Sequence, residues 1–143
     1  ITKKMTHKII GKYIKELKFN IPNPKTFFLL AKDIANYKIN IDIKSFQVKQ
    51  NIIEVLTSLK LSPVKDDFEK IDTQIIFSTI VEFSNETLSK EEMEKNILVD
   101  IPSKIYPELR RIFVFLFENS GFKDIKINEN VDFEKLYKMR KVQ

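Results

Sequence analysis

The sequence predicts an α+β protein: a four-stranded antiparallel sheet with a crossover segment, followed by a long helix and a short C-terminal helix. Three observations carry this. Apolar and polar residues alternate with period two through most of the first 83 positions, the links between the later strands are too short for parallel crossovers, and helix start and stop signals gather after residue 87.

The first strand shows Tyr13, Leu17, Phe19 and Ile21 alternating with Lys12, Glu16, Lys18 and Asn20, and Pro22, Asn23 and Pro24 end it. Residues Ile1 to Ile10 before it read as a frayed or extended arm, and the lack of an initiating Met suggests a start further upstream. From Lys25 to Tyr37 the chain is too apolar for a surface loop. Phe27, Leu30 and Ile34 fit a short amphipathic helix laid on the sheet; alternatively this is a crossover whose aromatic surface stays open as a binding wall.

The second strand alternates cleanly, with Ile39, Ile41 and Ile43 against Lys38, Asn40, Asp42 and Lys44. Its phase then flips to Phe46 and Val48, which calls for an extra residue near Lys44 and Ser45. Gln50 and Asn51 make a tight turn into a third strand, Ile53 to Pro63. The polar loop Lys65, Asp66, Asp67 leads to a fourth, with Thr73, Ile75, Phe77, Thr79, Val81 and Phe83 on one face. Ile76 and Ile80 make its other face apolar too.

Leu88, Ser89, Glu92 and Met93 spell a capping box with a staple, opening a short helix that reaches Leu98. Pro107 is placed as the first residue of the long helix, with Glu108 in its first turn. Leu109, Ile112, Phe113, Leu116 and Phe117 follow at helical spacing, and Val114 and Phe115 fill the other sides, so a chain of this length is short of cover for it. An oligomer would supply the rest. Gly121 stands where a helix ends in a left-handed residue, and Phe122 can fold back on the last turn. Asp132 caps the final helix, with Val131 and Leu136 as its staple and Lys135 in place of the Glu of a full capping box.

The 143 residues read as one domain, with 43% hydrophobic and 31% charged residues. No apolar run approaches the length of a membrane span, and the first residues lack a signal-peptide pattern, so a cytoplasmic protein without direct membrane insertion is expected. With no cysteine there is no disulfide or thiolate metal site. A single histidine, His7, has no nearby group to share a proton with, so neither metal nor other cofactor is expected.

Two glycines allow no phosphate-cradling loop, and the acidic pairs Asp66 with Asp67 and Glu91 with Glu92 suit a solvated loop and a helix start. No enzyme is expected. The net charge of +5 is carried mainly by lysines spread along the chain among carboxylates, which favours a solvated surface over a nucleic-acid interface. Phenylalanine is in excess, with 12 residues, several outside the obvious core; binding of something apolar follows.

The order of motifs resembles the bacterial protein-export chaperone family SecB. The resemblance runs from Tyr13 to near Lys141. It rests on Ile21, Pro22, Asn23 and Pro24 with Phe28 following; on Asp100, Ile101 and Pro102 through Ile105, Tyr106 and Pro107 to Arg110; on Ser120, Gly121 and Phe122; and on Val131, Asp132, Phe133, Leu136 and Tyr137.

It implies a SecB-like homotetramer, a dimer of dimers, that holds unfolded secretory precursors without ATP and passes them to the translocation ATPase SecA. The implied groove walls are Phe27, Phe28, Leu30, Ile34 and Tyr37 from the crossover, Ile39 and Ile41 from the second strand, and Phe122, Ile125 and Ile127 from the connector between the last helices. The oligomer interface would use Leu109, Ile112, Phe113, Leu116 and Phe77. Glu16 matches one carboxylate of the SecA contact, while Asn20 and Ser78 or Thr79 fall where others belong, and the Lys138, Arg140, Lys141 ending lacks the family's acidic tail. The alternatives are the same fold serving a toxin and antitoxin pair, and a basic nucleic-acid-binding protein.

Overall fold

Four antiparallel strands carry the described helices on one side, in a computed structural model that describes residues 7–33, 37–63, 72–84, 89–122 and 127–142. In chain order the elements are β1 (His7–Asn20), α1 (Pro24–Asp33), β2 (Tyr37–Lys49), β3 (Ile52–Pro63), β4 (Asp72–Phe83), α2 (Lys90–Lys95), a π-helical turn (Asn96–Asp100), α3 (Ile101–Glu118) and α4 (Phe133–Val142). The sheet order is β1-β4-β3-β2, so β1 and β2 are its two edges.

β1 begins at His7, paired with Phe83, so residues 7–10 belong to the sheet and not to an arm. It is bulged between Ile9 and Gly11 and again between Ile14 and Glu16. The second bulge inserts Lys15, and it separates Tyr13 from Leu17: Tyr13 pairs with Ser78, Leu17 with Ile75, and the two point to opposite faces.

A correction of the same kind applies to β2. Pairing with β3 runs without interruption through Lys44, Ser45 and Phe46, and the irregularity falls between Gln47 and Lys49. Phe46 therefore stays on the outer face, opposite Glu54, and 51% of its surface is exposed. The flip in hydrophobic phase marks an exposed aromatic residue instead of a bulge. Asn51 closes the β2–β3 turn with φ of 67°, and the Phe83 amide bonds its carbonyl at 2.8 Å.

Val55, Leu59, Ile75, Phe77 and Val81 form the inner face of β3 and β4, and α3 lies across them. Its buried stripe is Ile101, Ile105, Leu109, Phe113 and Phe117, every fourth residue. α3 starts at Ile101, with Pro102 in its first turn, and passes through Pro107. Proline there removes one ladder bond, to the Ser103 carbonyl, while Ile105, Tyr106 and Leu109 bury the helix on both sides of it.

α2 is capped by Ser89, whose hydroxyl accepts the Glu92 amide at 3.1 Å. The helix does not end at Leu98: it widens through the π-helical turn and continues into α3. α3 ends as its sequence indicates. Gly121 has φ of 95°, and the Phe122 amide bonds the Phe117 carbonyl at 3.0 Å. A Cβ on Gly121 would lie 3.2 Å from the Phe27 ring. Lys65 to Asp67, Asn85 to Leu88 and residues 1–6 lie outside the described residues.

Candidate functional site

The crossover after β1 is the helix α1. Asn23 caps it, its side-chain oxygen accepting the Thr26 amide at 2.8 Å and the Thr26 hydroxyl at 3.0 Å, and Pro24 supplies the first turn. The cap leaves Leu30 fully buried, Phe27 half-buried and Phe28 68% exposed. Phe27 stacks between Phe28 (5.6 Å between ring centroids) and Phe122 (4.9 Å), and Phe122 meets Phe117 at 5.9 Å. This file of rings runs from the core of α3 out to solvent at Phe28.

Along β2 a second apolar surface opens. Ile39, Ile41 and Ile43 point inward, but β2 extends beyond the cover of α3, and they are only half-buried. Three cavities lie along them. One of about 340 Å³ is walled by Ile39 and Ile41 with Tyr106, Ile127, Val131 and Leu136. A narrower one of about 150 Å³ shares Ile41 and Leu136 with it and brings in Ile43, Leu98 and Tyr137. The largest, about 580 Å³, continues from Ile43, Leu98 and Tyr137 to Phe46 and Ile97. Shared walls make the three one groove beside an open sheet edge. From Ile39 to Phe46 it spans roughly 24 Å at a strand's rise per residue, the length of about seven extended residues.

The far wall is held by two bonds from α3. Tyr106 donates its hydroxyl to the Asn128 carbonyl at 2.6 Å, and Arg110 Nε donates to the Ile127 carbonyl at 3.0 Å. Burial raises the Tyr106 phenol above its ordinary value, with the Arg110 charge opposing. Asp132 then caps α4, accepting the Lys135 amide at 3.0 Å, and Phe133 and Tyr137 anchor that helix while Leu136 faces the groove. The rim is mixed in charge, with Lys44 and Arg140 against Asp42 and Glu94.

Of the expected wall residues, Ile39, Ile41 and Ile127 line the groove, and Phe27 and Phe28 stand in the aromatic file. Leu30 and Phe122 support it from beneath, because α1 and the end of α3 bury them. Ile34 and Ile125 lie outside the described residues, as does the Tyr37 side chain. Leu98, Val131, Leu136 and Tyr137 also line the groove. In the sequence Val131 and Leu136 read as a staple, and Tyr137 only as part of the motif that carries the family resemblance.

Three residues expected at an interface are used up within the protomer. Leu109 and Phe113 are fully buried and Phe77 nearly so, since α3 presses them against its own sheet. Ile112 and Leu116 remain half-buried, and Phe115 is 61% exposed beside them. On the edge strand Ile10, Ile14 and Leu17 are also exposed.

His7 sits against Phe83, its Nε2 3.4 Å from Lys104 Nζ; burial, then that charge, lowers its pKa. Glu16 pairs with Lys18 at 3.2 Å on the outer sheet face. Among the described residues there is no cluster of His, Cys, Asp and Glu able to hold a metal ion, and no helix is long and apolar enough to cross a membrane.

The sequence family described as preprotein translocase subunit SecB matches residues 2–143. The chain is 42% identical, over 94% of its length and 96% of the other, to a protein of Pelagibacter ubique that carries the name "Putative protein-export protein SecB". It is 23% identical to the protein-export protein SecB of Anaplasma phagocytophilum, covering 91% of this chain and 89% of that one. Among solved structures it is similar in fold to a SecB-like chaperone of Mycobacterium tuberculosis in complex with a ChAD peptide from the HigA1 antitoxin. That likeness has a TM-score of 0.63 at 13% identity and covers 88% of each chain.

Proposed function

The chain belongs to the SecB family of protein-export chaperones, and from that premise we propose that it holds unfolded precursor polypeptides in the groove between β2 and α4, without ATP, and hands them to SecA. The observation that carries this reading is the contiguous apolar groove beside an open sheet edge. Such a groove accepts an extended chain and rejects a folded one, whose apolar side chains are already buried. Phe27 and Phe28 extend the binding surface onto α1.

The magnitudes suit holding without sequence selectivity. Each large apolar side chain buried contributes roughly 1.5–3 kcal/mol before ordering costs, so two or three in one groove bind weakly. Several grooves in one assembly, engaged by one long client, raise the affinity through effective concentration. We assign a homotetramer, a dimer of dimers, on this ground and on the uncovered Ile112, Phe115 and Leu116 of α3. We place the protein in the cytoplasm, with no enzymatic activity of its own, and Glu16 in the contact with SecA.

The test is suppression of aggregation of a chemically unfolded precursor by the purified protein in the absence of nucleotide. Stoichiometric suppression, lost when the client is native, is expected. No suppression at a several-fold molar excess would overturn the reading.

A further inference from the structure

The helices and most of the groove occupy the inner side of the sheet; at its end the groove reaches round the β2 edge to Lys44 and Phe46. The outer side of the sheet has no covering element among the described residues, and the register of the strands decides what it presents.

Its carboxylates are few, and two of the five that the register places there are already engaged. Glu54, at the centre, accepts the Ser78 hydroxyl at 2.8 Å, the Tyr13 hydroxyl at 3.0 Å and Lys15 Nζ at 3.2 Å. These donors, Ser78 foremost, hold its carboxyl below the usual range. Glu16 is paired with Lys18. Asp42, Glu82 and, at the β1 side of the sheet, Asp72 remain, against five lysines on the same face: Lys8, Lys38, Lys44, Lys49 and Lys60. All five are exposed, and none has a carboxylate within 4.0 Å among the described residues.

Four of these lysines lie on the β2 half. Between Lys44 and Lys49 stands Phe46, half exposed on the same face, with Val48 beside it at the bulge, 57% exposed. Unpaired like charges in one surface repel and add nothing to the fold, and an aromatic residue left in water among them adds nothing either. Both are satisfied by one kind of occupant. We propose that the β2 half of the outer sheet face docks an acidic segment of a partner polypeptide, with an apolar residue seated on Phe46.

From Lys38 to Lys49 the strand runs about 37 Å, so an extended segment of about a dozen residues reaches all four lysines. A single-stranded nucleic acid fits less well. Stacking needs aromatic rings along the path, and the central strands present Leu56, Ser58, Ile76 and Ile80 outward, with no ring. The guanidinium forks that favour phosphate are also missing, since Arg110, Arg111 and Arg140 are all on helices.

The experiment uses the full chain and a fluorescein-labelled peptide of about a dozen residues, alternating Glu and Ser with one central Phe, read by anisotropy at low salt. Saturable binding is expected, weakening several-fold as salt rises to a few tenths molar. The combined variant Lys38→Glu, Lys49→Glu, Lys60→Glu is expected to lose about tenfold or more in affinity. A combined change of the same residues to Gln should lose less, and both should suppress client aggregation as the unchanged chain does. Phe46→Ser should lose a few-fold for the peptide and not for its Phe-free version. The proposal is overturned if the peptide does not bind at low salt, or if the triple reversal leaves its affinity unchanged. It is also overturned if single-stranded RNA or anionic phosphatidylglycerol vesicles bind this face more tightly, with the same sensitivity to the reversals.

Discussion

The Tyr106 hydroxyl on α3 donates to the Asn128 carbonyl at 2.6 Å, so the helix that fills the core also fixes the far wall of the groove. Arg110, one turn on, does the same for Ile127. Removing both donors, Tyr106→Phe with Arg110→Met, should cost about 1–3 kcal/mol of stability and weaken client holding by more than that loss explains, since the wall loses its position. Denaturant titration and aggregation suppression, run on the same variants, separate the two effects.

The groove and its support respond differently to truncation. Phe28→Ser should weaken holding several-fold and leave stability within about 0.5 kcal/mol, because Phe28 is mostly in water already. Phe122→Ser removes a buried ring between Phe27 and Phe117 and should cost about 3–5 kcal/mol. Thermal unfolding read beside the holding assay checks both.

Gly121→Ala should destabilise by at least about 1 kcal/mol. The backbone there is left-handed, and the new Cβ would meet the Phe27 ring at 3.2 Å. Changing Phe27→Leu in the same chain should recover part of the loss and none of the backbone strain, which a double-mutant cycle measures.

Acid stability depends on Glu54. Its folded pKa lies below the ordinary carboxylate value, so its contribution is present above about pH 4.5 and is lost as pH falls through the folded pKa. Melting temperature should therefore fall on acidification through this range, and more shallowly in Glu54→Gln and Ser78→Ala. Equal slopes in all three proteins would remove Glu54 from the account.

Phe115→Lys should break the assembly while leaving the protomer folded, because Phe115 is exposed on the face of α3 away from its own sheet. Light scattering and circular dichroism together check this. By contrast, Leu109→Lys should unfold the protomer, since Leu109 is fully buried against β3 and β4.

Much of this architecture was legible in the chain because local chemistry and tertiary packing agree. Gly121 with Phe122, Ser89 with Glu92, and Asp132 marked helix ends where the structure has them. The errors have physical causes. Pro107 suggested a helix start, but a helix braced by buried residues on both sides tolerates one lost bond. The phase flip at Phe46 suggested a bulge, since an exposed aromatic residue and a shifted register look alike in a one-dimensional pattern.

At the candidate site, Ile39, Ile41 and Ile127 were recoverable, whereas Leu98 and Tyr137 were not. Their role depends on where a π-helical turn and a terminal helix come to rest against β2, which spacing along the chain does not encode. Leu109, Phe113 and Phe77, expected at an interface, are buried within the protomer for a related reason. Apolarity all round α3 said that cover was needed, but not which side its own sheet supplies.

The most direct measurement places a photo-crosslinking side chain at Leu136, in the groove, and another at Lys8, on β1 at the opposite edge of the sheet, and offers each protein an unfolded precursor and its native form. Crosslinks from position 136 to the unfolded client, and at neither position to the native one, are expected. Equal crosslinking from positions 136 and 8, or none from 136 while aggregation is still suppressed, would show that polypeptide is held somewhere other than the groove between β2 and α4.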